Sequence, residues 1–175
     1  MKKSLLILIS VLSLSCSSDD NSTPSNTDMN LVTGINLRQT SDDIGLEFGN
    51  PNILVNNKFV AYPNPANNVV YIAAQENITD IWLVPGTPKK IYQNTDFSSI
   101  LNNTLYPEAS IIINADFSLN GQASDVIGLN ISTLEKGYYK VFVKIGGQIY
   151  WDNLYKYEGN ETNEDQFNAL FNFWN

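Results

Sequence analysis

The sequence contains no histidine and only one cysteine, Cys16, among its 175 residues. Without histidine the chain cannot form a Ser-His-Asp or Cys-His catalytic site, and it cannot hold haem through an imidazole. A single cysteine also excludes an intrachain disulfide and a structural zinc site of the usual Cys and His composition. Two carboxylates could still act as they do in a glycosidase, but the 18 acidic residues are scattered through turns and tails. We therefore expect a binding protein rather than an enzyme, with no cofactor and no metal.

A hydrophobic run long enough to cross a membrane is also missing. The apolar stretch at residues 5–14 is shorter than the roughly 20 residues that a transmembrane helix needs. It follows Lys2 and Lys3 and leads into Ser15 and Cys16, which is the arrangement of a bacterial lipoprotein signal. We predict that residues 1–15 are a lipoprotein signal peptide and that Cys16 is lipidated, with palmitate among its acyl chains. An ordinary cleaved signal followed by an unmodified cysteine is the alternative.

Basic residues are scarce in the rest of the chain. Removal of residues 1–15 would leave 8 Lys and Arg residues against 18 Asp and Glu residues. This negative charge disfavours binding to nucleic acid and to anionic lipid headgroups, because phosphate recognition needs clustered cations. Membrane attachment is therefore expected to come from acyl chains on Cys16.

The composition changes twice along the chain. Residues 16–30 are rich in Ser, Asn and Asp without hydrophobic periodicity, which predicts a lipidated flexible tether. Residues 31–158 alternate turn-forming residues with short segments rich in β-branched and aromatic residues. The clearest predicted strands are 69–74, 78–84, 109–114, 126–131, 138–145 and 148–157. We expect an all-β domain, an immunoglobulin-like antiparallel β-sandwich, followed by a short helical tail at residues 159–175.

A hairpin around Gly146-Gly147 is predicted from two glycines that readily adopt the positive φ of a tight turn. The strand before it alternates between an apolar face and a face that carries lysines. The apolar face contains Tyr139, Val141, Val143 and Ile145, and the other face contains Lys140 and Lys144. This period of two predicts which face is the core. Pro85-Gly86 is predicted to form another turn, after strand 78–84.

Residues Tyr62-Pro63-Asn64-Pro65 form a rigid entry into the next strand, where Asn64 is expected to close a turn through its side chain. This motif and the segment LEKGYYKVFV at 134–143 resemble the C-terminal sorting domains of type IX secretion cargo. The resemblance covers residues 60–157 and implies a β-sandwich from a Gram-negative envelope, displayed at the cell surface. This chain continues past residue 157 where sorting domains end, so we expect a shared fold more than a shared export route.

Two groups of aromatic residues are candidate contact sites. The first recurs at the spacing of one helix face and consists of Phe167, Leu170, Phe171 and Trp174. This stripe could cover the sandwich's own edge, dock onto a partner or contact a membrane. The second group, Trp82 and Trp151, lies in predicted strands and belongs either to the core or to a platform for a protein or a glycan.

The sequence as a whole predicts an outer-membrane lipoprotein without catalytic activity, exposed at the cell surface. Its expected role is that of an accessory or interaction subunit of an envelope protein complex. A carbohydrate-binding surface lipoprotein and a sorting module related to type IX secretion are the alternatives.

Overall fold

The computed structural model describes residues 28–159 and 161–175. The predicted signal peptide, the lipidation site Cys16 and the tether up to residue 27 lie outside the described residues. The described part is mostly β-structure, as predicted, with a large mixed sheet and two helices. This arrangement is consistent with a β-sandwich.

The strands of the described part are β1 (Leu31–Val32), β2 (Gly34–Leu37), β3 (Leu46–Gly49), β4 (Phe59–Tyr62), β5 (Val69–Pro88), β6 (Phe117–Leu119), β7 (Ser124–Asn130), β8 (Gly137–Ile145) and β9 (Gln148–Lys156). Its two α-helices are α1 (Glu108–Asn114) and α2 (Asn163–Trp174), and a short 3₁₀ turn covers Phe97–Ser99. The strands β2 and β3 pair with each other, and the other seven strands form the large sheet.

Strand β5 links the two halves of the large sheet. Its first half pairs with β4 and β7, and its buried residues Val70 and Ile72 alternate with exposed ones. Its second half pairs with β6 and β8, and β8 pairs with β9. Four successive residues of this second half, Ile81–Val84, are buried. An alternating pattern indicates a sheet with one face in solvent, whereas a continuous buried run indicates a sheet covered on both faces.

Three of the predictions for this region were wrong. Segments 69–74 and 78–84 are parts of one strand, which continues through an irregularity between Ala73 and Ile78. Pro85 and Gly86 lie inside β5 instead of forming a turn, since both pair with β8. Glycine is needed there because a Cβ at position 86 would lie 2.7 Å from Val32. The sheet is also not wholly antiparallel, because β1 runs parallel to β5.

The segment 109–114 was predicted as a strand and is instead helix α1. Its three consecutive isoleucines are typical of a strand, but Pro107 precedes the helix with its fixed φ of −61°. The Pro107 carbonyl accepts hydrogen bonds from the amides of Ser110 and Ile111, which close the first turn. Ile111 is the one buried residue of α1, so the helix needs to place only this isoleucine in the core.

The predicted hairpin is confirmed, with φ of 57° at Gly146 and 78° at Gly147 between β8 and β9. The lysine face of β8 is nevertheless not a solvent face. Lys144 reaches Glu108 at 2.8 Å, but Lys140 is fully buried. The reason is that residues 97–111 cover this side of the sheet with Phe97, Leu101, Tyr106 and Ile111.

Lys140 is a buried amine without a counter-charge at hydrogen-bond distance. Its Nζ has no hydrogen-bond partner among the described residues and lies 5.5 Å from the centre of the Tyr106 ring. Burial lowers the pKa of Lys140 from its usual 10.5 to about 7. Near neutral pH the folded state therefore holds the Lys140 proton more weakly than the unfolded state does.

We predict that Lys140 makes the protein more stable as pH rises. Between about pH 7 and pH 10 the unfolded chain binds a proton that the folded chain lacks, so the free energy of unfolding should rise by up to ~1.4 kcal/mol per pH unit. Lys140→Met should flatten this slope and should raise the free energy of unfolding near pH 7 by ~2 kcal/mol or more. Urea unfolding at several pH values measures both effects. The matched control is Lys144→Met, which should keep the wild-type slope, and equal slopes in all three proteins would contradict the prediction.

Candidate functional site

Asn64, in the YPNP motif, is completely buried. It forms hydrogen bonds with segments that are far apart in the sequence. Its backbone exchanges two hydrogen bonds with Arg38, at 2.7 and 2.8 Å. Its Nδ2 donates to the carbonyls of Asn36 and Asn153, at 2.7 and 2.8 Å, and its Oδ1 accepts from the amide of Tyr155 at 3.1 Å. The side chain thus joins β2 to β9, and the expectation that it closes a local turn was wrong.

A second buried asparagine, Asn52, continues this connection. Its Nδ2 donates to the Leu31 carbonyl at 2.8 Å, and its Oδ1 accepts from the Thr33 amide at 3.3 Å and from Asn153 Nδ2 at 3.1 Å. Its carbonyl accepts the indole N–H of Trp151 at 2.9 Å. Every polar atom of the Asn52 side chain is therefore paired, whereas the buried Oδ1 of Asn153 has no hydrogen-bond partner among the described residues.

An ion pair lies beside the asparagines. Arg38 donates to the carboxylate of Asp152 at 2.8 Å, and the Asp152 side chain is fully buried. Burial raises the pKa of the Asp152 carboxyl, and the Arg38 guanidinium opposes that rise. The pair fixes the irregular segment after β2 against β9.

Trp82 and Trp151 are core residues. Their exposed fractions are 1% and 0%, and Phe142 lies between them on the neighbouring strand in direct register. Tyr106 covers Trp151 edge-on, with ring centres 4.9 Å apart. Neither indole can therefore stack on a sugar or contact a partner in the folded domain, and the platform interpretation of these two residues was wrong.

The predicted C-terminal helix is confirmed as α2. Thr162 and Asp165 form a capping box at its start, which satisfies amide groups that have no partner inside the helix. Leu170 and Trp174 are buried against Val32 and Ile35. Half of the predicted stripe therefore covers the domain's own apolar edge.

The other half of the stripe remains accessible. Phe167 and Phe171 are 42% and 45% exposed, and their rings are stacked 5.9 Å apart. Both rings meet Phe48 of β3 edge-on, at 5.4 and 5.9 Å. Leu46, two residues before Phe48 on the same face of β3, is half exposed. We call Phe167, Phe171 and Leu46 the α2 aromatic surface.

A second exposed aromatic group was missed by the sequence analysis. Tyr62 and Tyr71 are cross-strand neighbours on β4 and β5 and stack with ring centres 5.7 Å apart. The alternation that places Val70 and Ile72 in the core also places Tyr71 on the opposite face. This alternation is visible in the sequence and would have predicted an exposed Tyr71.

Neither described helix is long and apolar enough to cross a membrane. Within residues 28–159 and 161–175, no three His, Cys, Asp or Glu side chains are close enough together to hold a metal ion.

Comparisons of this chain with family models, with curated proteins and with solved structures find no match. Function must therefore be inferred from the surfaces that the fold exposes.

We predict that Asn64 is essential for stability. Asn64→Asp keeps the size of the side chain but replaces its N–H donor with an oxygen that faces two carbonyls. The free energy of unfolding should fall by about 3 kcal/mol or more near neutral pH, as measured by urea denaturation. Asn68→Asp, at an exposed position, should cost less than about 0.5 kcal/mol. If the two variants are equally stable, the network does not hold the domain together.

The two halves of the α2 stripe should respond differently to substitution. Leu170→Ala opens a cavity at a buried position and should lower the free energy of unfolding by about 2–4 kcal/mol. Phe171→Gln keeps a good helix former at a half-exposed position and should cost less than about 1.5 kcal/mol. Denaturant unfolding of both variants checks this difference, and a larger loss from Phe171→Gln would show that its ring is part of the core.

Proposed function

We propose that this chain is a lipid-anchored outer-membrane protein of the cell surface that binds another envelope protein and performs no catalysis. In this proposal acyl chains on Cys16 hold an immunoglobulin-like β-sandwich at the membrane. The leader with Lys2, Lys3 and Cys16 supports the anchor, and the resemblance around residues 62–65 and 134–143 supports the outer-membrane location. The α2 aromatic surface is the proposed contact with the partner.

The observation that carries the proposal is the division of α2 into a packed half and an accessible half. Leu170 and Trp174 fix the helix to the domain, so Phe167 and Phe171 are held in place before any partner binds. Their stacking against each other and against Phe48 restricts the rings further. A pre-ordered aromatic pair loses little side-chain entropy on binding, which is a property of interface hot spots.

The charge around this surface defines the kind of partner. Glu164 and Asp165 lie in the first turn of α2, and the helix contains no Lys or Arg. An acidic helix start disfavours an anionic membrane surface and favours basic groups on a protein. The proposed partner is therefore an envelope protein with an apolar groove bordered by Lys or Arg.

The YPNP motif is proposed to have a structural role in this protein. Asn64 is completely buried and its side-chain groups are all hydrogen-bonded within the domain. A secretion receptor could not contact the Asn64 side chain unless residues 62–65 unfolded. This supports a shared fold with sorting domains over a shared export route.

The double variant Phe167→Gln/Phe171→Gln tests the contact. In-cell crosslinking in the native host, followed by purification through the tagged full chain, should recover an envelope protein with the wild type and with Ile113→Gln. Ile113 is a matched control because it is an exposed apolar residue on the other helix, α1. The double variant should lose that protein while remaining folded, as a cooperative melting transition within a few degrees of the wild type would show.

Binding of the purified pair then separates a specific contact from a co-purifying contaminant. The double variant should bind the partner at least about tenfold more weakly. The wild-type affinity should fall as salt is raised, because acidic residues border the surface. Equal affinity of the double variant and the wild type would contradict the proposed surface.

The anchor has a test of its own. Cys16→Ser should move the protein from the outer-membrane fraction to the soluble fraction, since one or more acyl chains would be lost. Fractionation and mass spectrometry of the N-terminus give the two readouts. Unchanged membrane retention, with no lipid mass on the wild-type N-terminus, would contradict the lipoprotein proposal.

A further inference from the structure

The outward side of the β4, β5 and β7 region is a continuous uncharged face. Three rows of residues lie in register across it: Tyr62, Tyr71 and Gly128; Val60, Ala73 and Val126; and Val69 beside Asn130. The alternate residues of the same strands, including Ala61, Val70, Ile72 and Leu129, are buried in the core. We call the residues of the three rows the outer face.

The centre of the outer face is the stacked pair of Tyr62 and Tyr71. Their ring planes differ by 24°, and Tyr71 is 44% exposed. A Cβ at position 128 would lie 3.1 Å from the Tyr71 ring, so Gly128 allows this ring to lean over the neighbouring strand. Within the described residues, neither phenol hydroxyl has a hydrogen-bond partner. An exposed tyrosine offers a ligand both an apolar ring face and a hydroxyl group that can form hydrogen bonds.

The charge and the size of the outer face limit what can bind there. The chain carries a net charge of −8, yet none of the eight residues in the three rows is charged. Three strands, and four steps of about 3.3 Å from residue 69 to residue 73, give a patch of roughly 10 by 13 Å. A stable protein interface buries about 800 Å² on each partner, several times this area. A small neutral ligand therefore fits the outer face better than a second copy of this chain.

Polar groups border the outer face at the end that contains Val69 and Asn130. Asn130 is exposed and lies two residues beyond Gly128 on the same face of β7, and the exposed Ser132 donates its amide to Asn130 Oδ1 at 3.0 Å. Because Gly128 pairs with Tyr71, Asn130 is about 7 Å along the strand from the row that contains Tyr71. Amide and hydroxyl groups at that distance from an aromatic plane can pair with the hydroxyls of a bound sugar chain.

We propose that the outer face binds a neutral oligosaccharide, with one sugar ring stacked on Tyr71 and the next unit hydrogen-bonded by Asn130 and Ser132. This activity is separate from partner binding by the α2 aromatic surface. It would allow a surface lipoprotein to hold a polysaccharide close to its envelope complex.

Calorimetric titration of the full chain in detergent with cellohexaose, laminarihexaose and mannohexaose tests the proposal. At least one of these neutral probes should bind, with an affinity that hardly changes between about 0.05 and 0.5 M NaCl because the face is uncharged. Tyr71→Ala should weaken binding about tenfold or more, whereas Tyr71→Phe should keep most of the affinity. Gly128→Val should also weaken binding, since its side chain would displace the Tyr71 ring.

Phe173→Ala is the matched control, because Phe173 is an exposed aromatic residue on α2. It should bind the sugar as the wild type does, and melting temperatures should confirm that every variant is folded. The proposal is overturned if none of the three probes binds, or if Tyr71→Ala binds as tightly as the wild type. Concentration-dependent self-association that Tyr71→Ala abolishes would assign the outer face to a second copy of the chain instead.

Discussion

The hydrogen bonds of the buried asparagines are the constraint on which the rest of the structure depends. Residues 28–68 contain only short strands, and their backbone groups cannot all be satisfied by a sheet. Asn52, Asn64 and Asn153 supply donors and acceptors to the backbone of this segment and of β9. A neutral amide can donate and accept at once, so it replaces missing ladder hydrogen bonds without burying a charge. This explains how an irregular segment packs against the sheet with few regular pairs.

This network also positions α2. The Asn52 and Asn153 side chains bind the carbonyls of Leu31 and Gly34, the first residues of β1 and β2. Val32 and Ile35 then form the apolar surface against which Leu170 and Trp174 pack. Phe48 lies opposite Ile35 in β3 and supports the accessible Phe167 and Phe171. The α2 aromatic surface is therefore set by hydrogen bonds made elsewhere in the domain, and a variant such as Asn64→Asp would disturb it indirectly.

Local patterns predicted some elements and failed for others for physical reasons. The Gly146-Gly147 hairpin and the capped helix α2 depend on nearby residues, and both were found. The burial of Lys140 and of the face that carries Trp82 and Trp151 depends on a cover formed by residues 97–111, which no local pattern shows. The role of Asn64 depends on residues 28 and 91 positions away, so only the folded chain brings its partners together. The exposure of Tyr71, which stacks on Tyr62, could have been predicted from the alternation of buried and exposed residues along β5. Val70 and Ile72 lie in the core, so Tyr71 between them must face outward.

The two proposed binding surfaces lie at different ends of the long strand β5. Leu31, where the described chain begins to pair, lies beside Thr87 near the end of β5, and Val32 contacts α2. Tyr71 lies sixteen residues earlier on the same strand, at most about 50 Å away at 3.3 Å per residue. A partner on α2 and a sugar chain on the outer face would therefore occupy separate parts of the domain, so the two ligands could bind without competing for space.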